Sequence, residues 1–144
     1  MKTNVRWDGD VRFIGTSGSG HSVTLDGAPE HGGHNAGMRP MEMLLTGAAA
    51  CSAFDVVLIL RKARQQVVGC IVDAEADRAE TDPKVFTRIV FTFTVTGRGL
   101  DARAVERAVA LSKEKYCSAT IMLAKTAVIE TRIVLINADA GYVS

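Results

Sequence analysis

The chain has 144 residues, of which 47% are hydrophobic and 23% charged, so it is long and apolar enough to bury a real core and is not a disordered segment. Seventeen Lys and Arg against sixteen Asp and Glu leave a formal charge of +1. That balance gives neither the basic excess of a nucleic-acid binder nor an acidic tail for a basic partner.

A single domain over residues 1–144 is the simplest expectation at this length. The opening MKTNVRWDGDVRF lacks the apolar core of a secretory signal, which points to the cytoplasm. Thiols stay reduced there, and the three cysteines, Cys51, Cys70 and Cys117, cannot close a disulfide framework. Any disulfide is expected to be transient and chemical.

In chain order, VRWDGDVRF alternates on either side of Asp8-Gly9 and predicts a two-residue hairpin. GTSGSG, residues 15–20, reads as a turn, and HSVTLD as a third short strand. Residues 27–39, GAPEHGGHNAGMR, read as a surface loop rich in Gly and His. His31 and His34 beside Glu30 have a metal-like spacing, but two histidines in a glycine loop without ligands at fixed distance assign no metal. The glycines match no phosphate-binding fingerprint, no Ser/His/Asp hydrolase motif appears, and no cofactor is assigned.

Pro40 suits the first position of a helix, and no strong breaker follows until about Gln66. A helix of about 26 residues measures about 39 Å, against about 37 Å for the diameter of a compact domain of this size. It therefore has to traverse the molecule. Residues 43–60, MLLTGAAACSAFDVVLIL, approach the roughly 20 residues of a membrane span. Asp55 inside the run would cost about 2.5–3.5 kcal/mol on insertion, and Gly47 with its neighbouring alanines dilutes the apolarity, so no membrane is expected. Because no face of this helix is continuously polar, a second subunit is expected to cover it, in an intimate homodimer.

VVGCIVDAEADR and KVFTRIVFTFTVTG read as an antiparallel pair joined by the turn AETDPK. In the second, Val85, Ile89, Phe91, Phe93 and Val95 share a core face, while Arg88, Thr92, Thr94 and Thr96 share the other. Asp101 can cap a helix reaching about Tyr116. A further helix over residues 118–127 and the strand VIETRIVLI complete an α+β order.

Three side chains could carry chemistry on this reading. Cys51 lies among small residues that leave space around its sulfur, though a free Cys often simply packs. Cys117 sits at the junction of two predicted helices, where unpaired N–H groups and the nearby Lys113 and Lys115 favour thiolate. Asp55 follows Cys51 by four residues on the same helix face and would raise its pKa unless neutralised. Arg39, Lys113, Lys115 or an arginine of the early strands could supply the cation, or Asp55 could only fix packing. Glu42 stands nine residues before Cys51, on the opposite side of the helix, where it could orient an arginine or simply favour the helix dipole. Cys70, alternating with Val68, Val72 and Ala74, reads as core.

RPMEMLLTGAAACSAFDVVLILRKAR, followed about 50 residues later by LSKEKYCSATIML, resembles the OsmC/Ohr family of thiol peroxidases, and within it the YhfA-like branch. The resemblance covers residues 39–136. It implies an OsmC-like fold of antiparallel sheets packed around a long central helix in an intertwined homodimer. It also implies a cysteine-based organic hydroperoxide reductase serving an antioxidant, oxidative-stress role. Cys51 would attack the peroxide and Cys117 would resolve the sulfenic acid to a disulfide, which a dithiol re-reduces. Asp55, Glu42 and Arg39 are the candidate supporting residues. Peroxide-reducing members place a Glu directly after the helix-start Pro, where this chain has Met41, with Glu42 one position on; Asp55 replaces an uncharged residue. These departures motivate two alternatives: a non-enzymatic protein binding an apolar small molecule in the dimer cleft, and a thiol redox sensor.

Overall fold

Alternating short strands build the first sheet. Strands β1 (Thr3–Trp7), β2 (Arg12–Ser17) and β3 (Ser22–Asp26) pair antiparallel in that order. The hairpin at Asp8-Gly9 is present but wider than the two residues expected. Asp8 and Arg12 close it through backbone bonds, and Gly9 and Asp10 both take positive φ. Strand β2 continues through Gly15 to Ser17, so the next turn is confined to residues 18–20. This computed structural model describes residues 1–138. It divides into two compact units, residues 1–44 and the residues from 45 onward, with helix α1 (Pro40–Lys62) beginning in one and continuing into the other.

In the first unit the predicted loop of residues 27–39 is fastened rather than loose. Asp26 is 1% exposed, and its Oδ2 accepts the backbone N–H groups of His34 at 2.9 Å and Ala36 at 3.1 Å. Those bonds, Ala36 first, hold its carboxyl below the usual carboxylate range. Gly33 and Gly37 are required here, because a Cβ on either would collide with the backbone of Gly27 or Thr24. The loop ends where α1 starts: Glu42 Oε2 accepts the Arg39 N–H at 3.0 Å, one half of a capping box.

Helix α1 ends at Lys62, about one turn short of the expected Gln66. Arg64 adopts φ +59°, and bonds from Gln65 N to Leu60 O and from Arg64 N to Arg61 O form a Schellman stop. Only Ala48, Ser52, Val56 and Leu60, spaced by four, are buried along the helix. Phe54 remains 66% exposed, Leu44 54% and Leu58 38%. The helix is long and apolar enough to cross a bilayer by length and composition alone.

From residue 45 onward the second sheet takes β4 (Gln66–Arg78), β5 (Phe86–Arg98) and β6 (Val128–Asn137), with β5 in the middle. Strands β4 and β5 are antiparallel as expected, but β6 joins β5 in parallel, so this sheet is mixed. The reason is connectivity: a helical crossover separates β5 from β6, and crossovers return strands in parallel. Ile89, Phe91, Phe93 and Val95 are buried to 1% or less, each worth about 1.5–3 kcal/mol of transfer free energy. Val85, placed on that face from the sequence, instead precedes the strand and is 36% exposed. Val68 is displaced to the surface by a bulge between Val67 and Gly69, while Cys70 stays half-buried.

Asp101 caps α2 (Ala102–Leu111) by accepting the Arg103 N–H, and Ala104, Val105, Ala108 and Val109 form its buried face. The helix does not run on to Tyr116 in α geometry. It passes into a π-helical turn, Ser112–Tyr116, and α3 (Ser118–Leu123) follows, stopping short of residue 127. The architecture is α+β, with two sheets and one long helix.

Candidate active site

Three elements of the second unit converge on Cys117. The wide π-helical turn closes with a bond from Cys117 N to Ser112 O at 2.8 Å, and Cys117 then caps α3. Its side chain is fully buried. Ser52, one residue after Cys51 on α1, donates its hydroxyl toward the Cys117 sulfur at 3.4 Å and lies 3.1 Å from the Thr120 hydroxyl. Thr120 offers its backbone N–H to the same sulfur at 3.4 Å, and its hydroxyl stands 3.0 Å away. Burial alone would push this thiol up. The bonds from Ser52, Thr120 and Cys51 outweigh it and hold Cys117 below the ordinary cysteine range.

Cys51 is half-buried, and its environment works the other way. Burial raises its pKa first, then its hydrogen bond to Cys117, then the charges of Cys117 and Asp55; the Ala119 N–H alone opposes them. The two thiols are therefore pushed apart: the surroundings hold Cys51 up and Cys117 down.

Asp55 joins the pair as the four-residue spacing predicts. The two sulfurs and a carboxylate oxygen of Asp55 all lie within 4.8 Å of one another. The cation sought for Asp55 is not there: its Oδ2 accepts the Ser112 hydroxyl at 3.1 Å, and among the described residues it enters no ion pair. Lys115 sits over the ring of Tyr116 at 5.2 Å instead. Asp55 also lines a cavity of about 410 Å³ with Leu58, Ile59, Lys62, Leu111 and Tyr116.

The other candidates make local bonds. Glu42 caps α1, and the Arg39 guanidinium bonds Asn35 Oδ1 at 3.0 Å and Gly37 O at 3.1 Å. His34 Nε2 faces Asp10 Oδ2 at 3.2 Å on the surface. Cys70 is pushed up by burial alone, as a packing thiol is. Ser52, Ser112 and Thr120 were not expected from the sequence. One signal existed for Thr120, since a residue three beyond a helix cap is where a capping side chain is satisfied.

A helix-borne cysteine within 4.8 Å of a second cysteine at a helix cap, in an α+β chain with two sheets, defines the protein class. The sequence matches the OsmC-like protein family over residues 32–132, and the chain belongs to that family. It is 48% identical to Protein YhfA of Escherichia coli (strain K12) over 128 residues, covering 87% of this chain and 90% of that protein. A hypothetical protein from Aquifex aeolicus VF5 has the same fold at TM-score 0.84 and 27% identity, covering 96% of this chain and 97% of its own. An organic hydroperoxide resistance protein OsmC from Legionella pneumophila aligns at TM-score 0.67 and 17% identity, covering 92% and 96%, a likeness of fold alone.

Proposed function

We propose that the chain is a thiol-dependent organic hydroperoxide reductase, acting as one OsmC-like domain of a cytoplasmic homodimer. The observation that carries this reading is the Cys51–Cys117 pair, two free sulfurs within 4.8 Å of one another, one half-buried and the other sealed. Access assigns the roles: Cys51 meets the peroxide and Cys117 waits behind it. Cys51 passes its proton to Cys117 and attacks the distal peroxide oxygen. The O–O bond breaks, that oxygen becomes Cys51 sulfenic acid, and the alkoxide takes the proton back as it leaves as alcohol. The Cys117 thiolate then attacks the Cys51 sulfur and expels hydroxide, forming the disulfide, which an external dithiol reduces by exchange. Adjacency makes the second step intramolecular.

Asp55 marks where this chain differs from a pair activated by cations, and the apolar cavity beside it suits the alkyl group of a hydroperoxide. The same cavity favours a second reading, capture of an apolar molecule without turnover. Consumption of an alkyl hydroperoxide by the reduced chain with a dithiol decides between them. The reductase reading expects turnover that Cys51→Ser abolishes, and a trappable sulfenate in Cys117→Ser. Retention of an apolar ligand by a variant lacking both thiols, with no consumption by the wild type, would establish the second.

A further inference from the structure

The geometry points to a Zn²⁺ site in the reduced chain, with Cys51 Sγ, Cys117 Sγ and the Asp55 carboxylate as its three protein ligands. Zinc binds thiolate at about 2.3 Å and carboxylate at about 2.0–2.2 Å, so tetrahedral ligands stand about 3.5–3.8 Å apart. The three atoms already lie within 4.8 Å of one another, and shifts of about 1 Å bring them to that spacing. Two soft sulfurs with one hard oxygen suit zinc, whose filled d-shell accepts an irregular three-ligand set and an open fourth position. The cavity lined by Asp55 leaves room for a water beside that carboxylate.

The surroundings are those a metal site requires. The Ser112 hydroxyl fixes the Asp55 carboxylate, and Ser52 and the Thr120 N–H donate to the Cys117 sulfur. An anion beside two thiols works against a peroxide nucleophile, yet beside a dication it is a ligand. Zinc would mask the thiol pair until oxidation expels it. In that step two zinc-bound thiolates become a disulfide, and their two electrons, with two protons drawn from solvent, convert an alkyl hydroperoxide to alcohol and water, freeing Zn²⁺. The release step rests on the reductase reading; the binding step does not.

The test is a titration of the fully reduced, chelator-stripped chain with Zn²⁺ against a chromophoric chelator, without oxygen or hydroperoxide, repeated with Co²⁺ as a spectroscopic probe. One metal per chain is expected, with thiolate-to-cobalt charge transfer. Asp55→Asn, which keeps the side-chain shape, should weaken binding by at least about 10-fold. Cys51→Ser should weaken it further, and Cys70→Ser should leave it unchanged. One equivalent of alkyl hydroperoxide should then release the zinc. No uptake by the reduced wild type, or equal affinity in Asp55→Asn, overturns the site; retained zinc after disulfide formation overturns the masking. Because the titration contains no hydroperoxide, its failure leaves the reductase reading standing. Conversely, a chelator-stripped chain that consumes no hydroperoxide sinks that reading without touching zinc uptake.

Discussion

The Ser112 hydroxyl donates to Asp55 Oδ2 at 3.1 Å, tying the π-helical turn to the middle of α1. One turn of α1 thus presents Cys51 and Asp55, and the residue that anchors Asp55 also anchors, through its backbone carbonyl, the N–H of Cys117. The carboxylate is held in place beside a thiol that it discourages from ionising.

Removing that charge should therefore free Cys51. In Asp55→Asn the amide oxygen can still accept from Ser112, so the stability change should stay within about 1 kcal/mol. The repulsion that helps raise the Cys51 pKa is lost. Alkylation of Cys51 at fixed near-neutral pH, followed by peptide mass spectrometry, should be faster than in the wild type. An unchanged or slower rate would show that Asp55 does not act on the thiol.

Ser52→Ala removes one of the donors that hold Cys117 low. The folding cost should be about 1 kcal/mol. The Cys117 pKa should rise, so less of it is thiolate and disulfide closure slows. A sulfenate on Cys51 should then live long enough for a dimedone-type label to capture more of it than in the wild type. Equal labelling would remove Ser52 from the mechanism.

The loop of residues 27–39 should fail first in acid. Asp26 has its pKa lowered by folding, so its contribution is fully present above the unfolded value of about 3.9 and is lost as pH falls through the lower folded value. Thermal unfolding followed from pH 7 down to 3 should show wild-type stability falling in this acid window. Asp26→Asn should be less stable at pH 7 and lose less on acidification. Parallel pH profiles for the two proteins would contradict the assignment.

Phe54, 66% exposed on α1 with Leu44 and Leu58 also uncovered, is the anchor expected beneath a second copy of the chain. Phe54→Asp should convert a dimer to monomer in analytical ultracentrifugation, with a lower thermal stability that no longer depends on concentration, whereas that of the wild type falls on dilution. A wild-type protein that sediments as a monomer at micromolar concentration would refute the dimer.

Much of this was legible in residue chemistry. Asp101 announced α2, the unbroken run from Pro40 announced α1, and the four-residue step from Cys51 to Asp55 placed both on one face of the site. The parallel pairing of β6 was not read, although the helices between β5 and β6 implied a crossover. The end of α1 was missed because its left-handed stop is Arg64, where a glycine would have signalled it. Ser52 stands 65 positions from the Cys117 it donates to, and no local pattern announces a serine that finds its partner only through tertiary packing.

The central claim is that Cys51 and Cys117 act as one redox pair. It is tested most directly by adding one equivalent of an alkyl hydroperoxide to the fully reduced chain and mapping its disulfides by peptide mass spectrometry. The account predicts one Cys51–Cys117 disulfide, one alcohol released per chain and an untouched Cys70. Free Cys51 and Cys117 after exposure to the hydroperoxide would contradict it.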